Sequence, residues 1–322
     1  MKIVILDGNA INPGDVTWEP FEKLGHLTVY DRTTDDQITV RIGGSQIVLT
    51  NKVHLTEQIF AAAPDIKWVG ILATGTEIVD LDAASARGIT VCNVADYSTA
   101  AVAEMVFALI LELSRRVGAH SDAVMRGEWT ASRDFCFWKY PQNEIYGKTL
   151  GIIGLGAIGQ RTAKIAQAFG MNVTAVSKSR RLPQTDTLKY AGLDELYRRA
   201  DIISLHCPLN SQTRGMIDKH AIAKMKDGVI IINTARGALI NEAALADALQ
   251  NGKVAGAGCD VVSKEPIAAD NPLLGAKNAI ITPHIAWASR QSRQRLINMA
   301  ADNLKAFLLG RVQGAVNMEN NK

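Results

Sequence analysis

Short apolar runs rich in Val and Ile alternate along the chain with segments in which apolar residues recur every three or four positions. Runs such as 229–232 are apolar throughout, which is typical of parallel strands covered on both faces. The alternation of strands with helices predicts βαβ units and an α/β fold. The predicted strands are Lys2–Leu6, Leu27–Tyr30, Gln46–Leu49, Lys67–Leu72, Thr90–Cys92, Thr149–Ile153, Asn172–Ser177, Ile202–His206, Val229–Asn233, Val254–Cys259 and Ala279–Thr282.

One long helix is predicted to begin after Ser98, which can cap its first turn, and to end at Gly118. We interpret its wide apolar stripe as a core or interdomain packing surface, with a dimer interface as the alternative. A second helical pattern, Trp287–Arg311, follows the last strand and is expected to pack back on the first domain. The stripe consists of Val102, Met105, Val106, Leu109, Ile110 and Leu113.

Composition narrows the class of protein. A chain of 322 residues predicts two domains, and 47% hydrophobic with 21% charged residues is ordinary for a globular protein. The net charge of +3 is too small to indicate a nucleic-acid or membrane partner, and no apolar run is long enough for a membrane helix. Scattered cysteines without a CxxC pair predict no disulfide framework and no metal site, and favour a reducing cytoplasmic setting. They are Cys92, Cys136, Cys207 and Cys259.

A glycine motif at the start of the second half predicts a dinucleotide site. The predicted strand 149–153 runs into Gly154-x-Gly156-x-x-Gly159 and then into a helical pattern. The first glycine permits a tight turn, the second lets the backbone approach a pyrophosphate, and the third allows close packing of helix and strand. N–H groups of Ala157 and Ile158 at the helix start would bind the pyrophosphate. A glycine turn with a purely structural role is the alternative.

The end of the next strand bears on the choice of cofactor. NAD enzymes usually carry an acid there, but the sequence reads Ser177, Lys178, Ser179, Arg180, Arg181. Hydroxyls and cations suit the 2′-phosphate of NADP, and no carboxylate repels it. We therefore expect NADP(H) to be favoured and NAD(H) to be possible, with a solvated basic loop as the alternative.

Three further residues follow predicted strands in the same half of the chain. Arg236, Glu265 and His284 lie in loops after the strands 229–233, 254–259 and 279–282. Ligands of open α/β sheets bind beyond the carboxyl ends of the strands, so these side chains are expected to converge. Taken singly, each has a simpler explanation: a surface cation, a loop acid and a core histidine.

The order of these motifs resembles the D-isomer-specific 2-hydroxyacid dehydrogenase family over nearly the whole chain. The motifs are GxGxxG, Asn233–Gly237, Asp260–Pro266 and Pro283-His284. The segments 129–137, 147–149 and 284–289 are similar to its glycerate dehydrogenase, or hydroxypyruvate reductase, branch. The resemblance implies two doubly wound Rossmann-like domains with parallel sheets. A dinucleotide-binding domain, 100–285, would be inserted into a substrate domain formed by 1–99 plus 286–322.

The resemblance also implies roles for individual residues. The segment Leu72–Asp80 is similar to the substrate-carboxylate loop of the family, with Ala73, Thr74 and Gly75 as substrate-binding residues together with Arg236. His284 would donate a proton to the substrate carbonyl while nicotinamide delivers a hydride, and Glu265 would orient the ring and favour the imidazolium. Further cofactor contacts would come from Val102, His206, Cys207, Pro208, Thr213, Thr234, Ala235, Asp260 and Ala286.

Several alternatives remain open. The aromatic stretch from Phe135 to Trp138 either packs within the chain or reaches a neighbouring subunit, and a homodimer is expected.

The family reading predicts an enzyme that reduces small 2-keto acids such as hydroxypyruvate and glyoxylate. The main rival is a dinucleotide-sensing protein similar to the corepressors that share this fold. Another family dehydrogenase, acting on phosphite or on other D-2-hydroxy acids, is a third option.

Overall fold

The computed structural model describes residues 1–178 and 182–318. Its strands are β1 Lys2–Ile5, β2 His26–Val29, β3 Ile47–Thr50, β4 Trp68–Ile71, β5 Thr90–Cys92, β6 Thr149–Ile153, β7 Asn172–Val176, β8 Leu188–Tyr190, β9 Ile202–Leu205, β10 Val229–Asn233, β11 Val254–Cys259 and β12 Ala279–Ile281. Its α-helices are α1 Glu19–Glu22, α2 Ile38–Ile42, α3 Glu57–Ala62, α4 Leu81–Ala86, α5 Thr99–Arg115, α6 Val117–Met125, α7 Ala157–Ala168, α8 Leu193–Arg199, α9 Lys219–Lys224, α10 Glu242–Gln250 and α11 Arg290–Leu308.

The chain divides into two compact units. The first comprises Met1–Ser98 and the chain from Ala288 onward, and the second is Thr99–Trp287. The assignment of one unit to substrate and the other to cofactor stays a prediction.

The first unit is built on a parallel sheet in the order β2-β1-β3-β4-β5. Strands β3 and β4 are buried throughout, and side chains of the sheet form a core with those of α2 and α3. Helix α11 packs against α1 and β4, as the sequence pattern predicted. Ser289 caps α11 by accepting a hydrogen bond from the N–H of Ser292.

The second unit is built on a larger parallel sheet in the order β12-β11-β10-β9-β6-β7-β8. From β6 the chain runs outward through β7 and β8, and it then returns to β9 and runs outward through β10, β11 and β12. This reversal creates a crevice between the carboxyl ends of β6 and β9, where open α/β sheets bind ligands. Both sheets are parallel, which confirms the predicted doubly wound α/β fold. Strand β8 was not predicted, because it is a three-residue edge strand with Lys189 at its centre.

The long helix departs from its prediction in two respects. It ends at Arg115, and Gly118 lies inside the next helix α6, so the predicted end at Gly118 is wrong. The break is at Arg116, whose φ of 49° is left-handed and whose guanidinium donates to Asn278 Oδ1 at 2.8 Å. Arg is an ordinary helix former, and a pattern of residue types does not show such a tertiary contact.

The apolar stripe of α5 is buried within its own unit. Val106, Leu109 and Ile110 belong to a core cluster that also contains Leu150 and Ile152 of β6. The interpretation of the stripe as a core packing surface is therefore confirmed, and the alternative of a dimer interface is wrong, because a second copy cannot reach the buried side chains. No helix among the described residues is both long and apolar enough to span a bilayer.

Candidate active site

The loop after β6 fits closely against the loop after β9. Gly154 has a φ of 99°, and a Cβ placed on it would lie 2.7 Å from the backbone N of Cys207. A Cβ on Gly159 would lie 2.2 Å from the carbonyl oxygen of Gly154. Side chains at these two positions would push the loop, helix α7 and the neighbouring strand apart. The glycines therefore hold the start of α7 at the crevice of the sheet.

Gly156 differs from the other two glycines, since a Cβ on it would meet no described atom within 4 Å. It is also the N-cap residue of α7, and no side chain among the described residues caps this helix end. The N–H groups of Ala157 and Ile158, in the first helical turn, are not used by the helix itself and present partial positive charge. Open space beside an uncapped helix start fits a dinucleotide pyrophosphate.

The end of β7 carries the residues predicted to select the cofactor. Ser177 is partly buried and has an interaction partner, and Lys178 is exposed. Neither is an acid, so the carboxylate usual in NAD enzymes is missing at both positions. The predicted contacts Ser179 and Arg180, and Arg181 beside them, lie outside the described residues.

The loop after β9 contains two titratable side chains with shifted pKa values. Burial lowers the pKa of His206 to about 4, and its Nε2 lies 2.9 Å from Ser204 Oγ. Burial also raises the pKa of the Cys207 thiol, which argues against a nucleophilic role for it. The Thr213 hydroxyl donates to the carbonyl of Pro208 at 2.7 Å and closes the loop.

The loop after β10 positions Arg236. The side chain of Asn233 donates to the carbonyl of Arg236 at 2.9 Å and accepts from the N–H of Ala235 at 3.0 Å. Arg236 Nη1 donates to the carbonyl of Ala235 at 2.8 Å, and the side chain has a further interaction. The buried hydroxyl of Thr234 has no hydrogen-bond partner among the residues the structure describes. Such an orphaned hydroxyl beside the crevice fits a polar ligand.

The Arg236 loop lies directly against the loop that carries the acid. A Cβ on Gly237 would lie 1.9 Å from the carbonyl carbon of Val262, so only glycine fits there. Glu265 follows three residues later and accepts from the N–H of Val262 at 3.3 Å through Oε1. The close packing at Gly237 therefore fixes the position of the Arg236 loop relative to the Glu265 loop.

Glu265 and His284 form a hydrogen-bonded pair, with 2.6 Å between Oε2 and Nδ1. The two side chains are 35% and 30% exposed, so the pair is accessible to a ligand. Because Nδ1 faces the carboxylate, Nε2 is the ring nitrogen available to a substrate. The backbone of His284 has a φ of 55°, and its N–H donates to the carbonyl of Asp260 at 2.8 Å.

Asp260 anchors the His284 loop. Asp260 is buried, with 1% of its surface exposed. Oδ1 accepts from the hydroxyl of Thr282 at 2.6 Å and from the N–H of Ile285 at 2.9 Å, and Oδ2 accepts from the N–H of Ala286 at 2.8 Å. The sequence assigned Asp260 and Ala286 to the cofactor only. The structure adds that they bind each other and shape the loop of the proposed acid.

Glu242 is a residue that the sequence analysis missed. It is the first residue of α10, and its carboxylate accepts from the N–H and hydroxyl of Ser263 at 2.6 and 2.7 Å. It also accepts from Asn271 Nδ2 at 2.9 Å. These bonds hold both ends of the segment that carries Glu265. No motif in the sequence connects a helix start to a loop some twenty residues later.

The predicted carboxylate loop lies in the first unit, directly after β4. Thr74 is exposed, while Ala73 and Gly75 are partly buried. The N–H of Val94 donates to the carbonyl of Ala73 at 3.0 Å, and the Thr74 hydroxyl donates to the carbonyl of Val94 at 3.0 Å.

In the second unit, Val102 is buried near the start of α5. The described residues contain no cluster of three metal-ligating side chains.

Comparison with known proteins gives a consistent result. Residues 107–286 match the family described as "D-isomer specific 2-hydroxyacid dehydrogenase, NAD binding domain". A hydroxypyruvate reductase of Blautia hydrogenotrophica is 51% identical over 321 residues, covering 98% of this chain and 100% of that protein. A glycerate dehydrogenase of Methylorubrum extorquens is 40% identical over 318 residues, covering 98% of each.

A solved structure shares the fold of this chain. An acyclic imino acid reductase, Bsp5, in complex with NADPH and D-Arg is similar with a TM-score of 0.83 and 28% identity. The similarity covers 98% of this chain and 100% of that one.

Proposed function

The chain belongs to the D-isomer-specific 2-hydroxyacid dehydrogenase family, oxidoreductases that act on CH–OH groups with a nicotinamide dinucleotide, and we propose that it reduces hydroxypyruvate and glyoxylate. The observation that carries the proposal is the 2.6 Å hydrogen bond between Glu265 and His284, beside the loop of Arg236. The names of the relatives above support the choice of a three-carbon keto acid.

In the proposed mechanism, His284 is the general acid. Bound nicotinamide supplies the hydride that is added to the carbonyl carbon of the substrate. Nε2 of the protonated ring donates its proton to the carbonyl oxygen, which becomes the hydroxyl of the product. Glu265 holds the ring through Nδ1 and stabilises its positive charge before the proton leaves.

The other side chains bind and orient the substrate. The guanidinium of Arg236 offers a planar pair of donors to the keto acid. Backbone N–H groups of Thr74 and Gly75 are assigned to its carboxylate. Asp260 keeps the His284 loop in place through Ile285 and the residues on either side of it. Positioning of this kind contributes to catalysis because it fixes the reacting geometry in advance.

We propose NADP(H) as the favoured cofactor, with NAD(H) as a possible one. The support is chemical: the β7 end presents Ser177 and Lys178 in place of an acid.

We also place the protein in the cytoplasm, where its four free cysteines would stay reduced.

We propose that the chain forms a homodimer through its aromatic arm, residues 126–140. Phe135 is 90% exposed and Trp138 is 68% exposed, so these rings do not pack within the chain. The arm nevertheless holds a defined shape, since Trp129 donates to the carbonyl of Phe135 at 3.0 Å and Lys139 Nζ lies 2.6 Å from Glu128. Exposed aromatic rings on an ordered segment favour burial against a second copy. A monomer in light scattering at micromolar concentration would contradict this.

The enzyme assay that tests the proposal follows the absorbance of NADPH and NADH with hydroxypyruvate, glyoxylate and phenylpyruvate. We expect kcat/KM to be higher for the two small acids than for phenylpyruvate. Faster reduction of phenylpyruvate would contradict the substrate assignment. Cofactor binding without oxidation by any keto acid would instead favour a dinucleotide-sensing binding protein.

A further inference from the structure

The side chain of Asn93, the residue directly after β5, binds the proposed carboxylate loop. Asn93 Nδ2 donates to the carbonyl oxygen of Thr74 at 2.6 Å. The neighbouring Val94 makes two further bonds to this loop, with the carbonyl of Ala73 and the hydroxyl of Thr74. Of these three hydrogen bonds, the one from Asn93 is the bond made to the carbonyl of Thr74.

The direction of this carbonyl fixes the direction of the next N–H group. In a planar trans peptide, the C=O of one residue and the N–H of the next point in opposite directions. A bond from Asn93 to the Thr74 carbonyl therefore turns the N–H of Gly75 away from Asn93. Among the described residues, the N–H groups of Thr74 and Gly75 have no hydrogen-bond partner. Unpaired backbone donors that are held in one direction suit an anionic ligand.

The backbone of Asn93 is itself held from two sides. Its N–H donates to the carbonyl of Gly314 at 3.3 Å, and its carbonyl accepts from Asn303 Nδ2 at 3.1 Å. Both partners belong to the end of the chain, on α11 and the segment that follows it. The side chain of Asn93 thus extends from an anchored backbone and can restrain the loop.

We propose that Asn93 is a positioning residue, which holds the Thr74–Gly75 peptide so that the N–H of Gly75, beside that of Thr74, receives the carboxylate of the keto acid. The proposal rests on the proposed function. An amide suits this task, because it donates to a carbonyl without adding a charge. A carboxylate at this position would repel both the Thr74 carbonyl and the anionic substrate.

The test compares Asn93→Ala and Asn93→Leu with wild type. Ala removes the donor, and Leu removes it while keeping the bulk of the side chain. Asn317→Ala is the matched control, because Asn317 binds the same strand, donating to the carbonyl of Ile89 at 2.8 Å and accepting from the N–H of Val91 at 2.9 Å. It contacts β5 and its flank but makes no bond to the carboxylate loop.

Loss of one hydrogen bond that orients the loop should raise KM for hydroxypyruvate roughly tenfold in both Asn93 variants. Turnover should change less than about threefold, since the carboxylate is bound in the ground state and the transition state alike. The inhibition constant of oxamate, an unreactive analogue with the same carboxylate, should rise in parallel with KM. NADPH affinity should stay at the wild-type value, and Asn317→Ala should leave both constants unchanged even where it lowers Tm.

The outcomes separate this proposal from the proposed function. If the wild-type protein did not reduce hydroxypyruvate, the proposed function would be refuted. Active wild type with unchanged KM and oxamate inhibition in the Asn93 variants would refute the positioning role alone. An equal rise of KM in Asn317→Ala, or Asn93 variants that do not fold, would show that Asn93 serves the fold and would also overturn the proposal.

Discussion

Replacing Asp260 by Asn perturbs the loop of the proposed acid without changing the size of the side chain. In wild type, Oδ1 accepts from Thr282 and Ile285, and Oδ2 accepts from Ala286. An amide has only one acceptor atom. If its oxygen keeps the two bonds of Oδ1, its NH₂ group faces the N–H of Ala286, and two donors oppose each other.

The size of the effect follows from this count of bonds. Losing one bond to a charged group costs about 1.5–3 kcal/mol, and the remaining two lose the assistance of the charge. A loss of about 2 kcal/mol from the loop lowers the population of its catalytic arrangement by up to roughly 30-fold. We therefore expect Asp260→Asn to lower kcat/KM for hydroxypyruvate by about tenfold or more. A simultaneous rise of the NADPH dissociation constant would support the predicted contact of Asp260 with nicotinamide.

Asp218→Asn is the matched control for this assay. Asp218 Oδ1 accepts from the N–H groups of His220 and Ala221 at 2.9 and 2.8 Å, where it caps α9 outside the active-site loops. Its replacement should lower Tm and leave kcat/KM unchanged. The reasoning would be refuted if Asp260→Asn kept kcat/KM within twofold of wild type, or lost no more than the control.

Three further predictions concern the cofactor, the acid pair and His206. Ser177→Asp should shift preference from NADPH toward NADH, because a carboxylate binds ribose hydroxyls and repels a phosphate; an unchanged ratio of kcat/KM values would show that Ser177 does not face the cofactor. Glu265→Gln should lower turnover less than His284→Ala, because the amide can still hydrogen-bond the ring and orient it whereas Ala removes the proton donor; an equal or greater loss in Glu265→Gln would contradict these roles. Burial lowers the pKa of His206 from its ordinary 6.5 to about 4. Between these two pH values the unfolded chain binds more protons than the folded chain. The free energy of unfolding should therefore fall as the pH drops from about 6.5 to 4. Tm measured across that window should be less sensitive to pH in His206→Asn, and an equal slope in both proteins would contradict the shift.

Much of the fold could be predicted from the sequence, because the central strands of both sheets are buried on both faces. A run such as 229–232 is apolar throughout only where helices cover both sides of a sheet, and its strand Val229–Asn233 has its predicted bounds. The glycine motif was equally informative, since a positive φ at Gly154 and tight packing at Gly159 exclude other residues.

The contacts that hold the site could not be predicted. Asp260 binds the N–H of Ile285, Glu242 binds Ser263, and Asn93 binds Thr74, each across some twenty residues. Such pairs follow from loop geometry, and one sequence does not encode them as a pattern. The burial of the α5 stripe was ambiguous for a similar reason: an apolar stripe does not reveal whether its partner is the same chain or a second copy.

The central claim is that Arg236, Glu265 and His284 direct hydride transfer from a nicotinamide to a small 2-keto acid. The most direct measurement uses NADPH and NADH carrying deuterium at the transferred position, with hydroxypyruvate as substrate and the product analysed by mass and chirality. We predict D-glycerate with one deuterium on the carbon that bears the new hydroxyl. His284→Ala should slow its formation by about 10²- to 10⁴-fold while binding the cofactor normally. A product without deuterium, an L product, or undiminished transfer in His284→Ala would contradict the account.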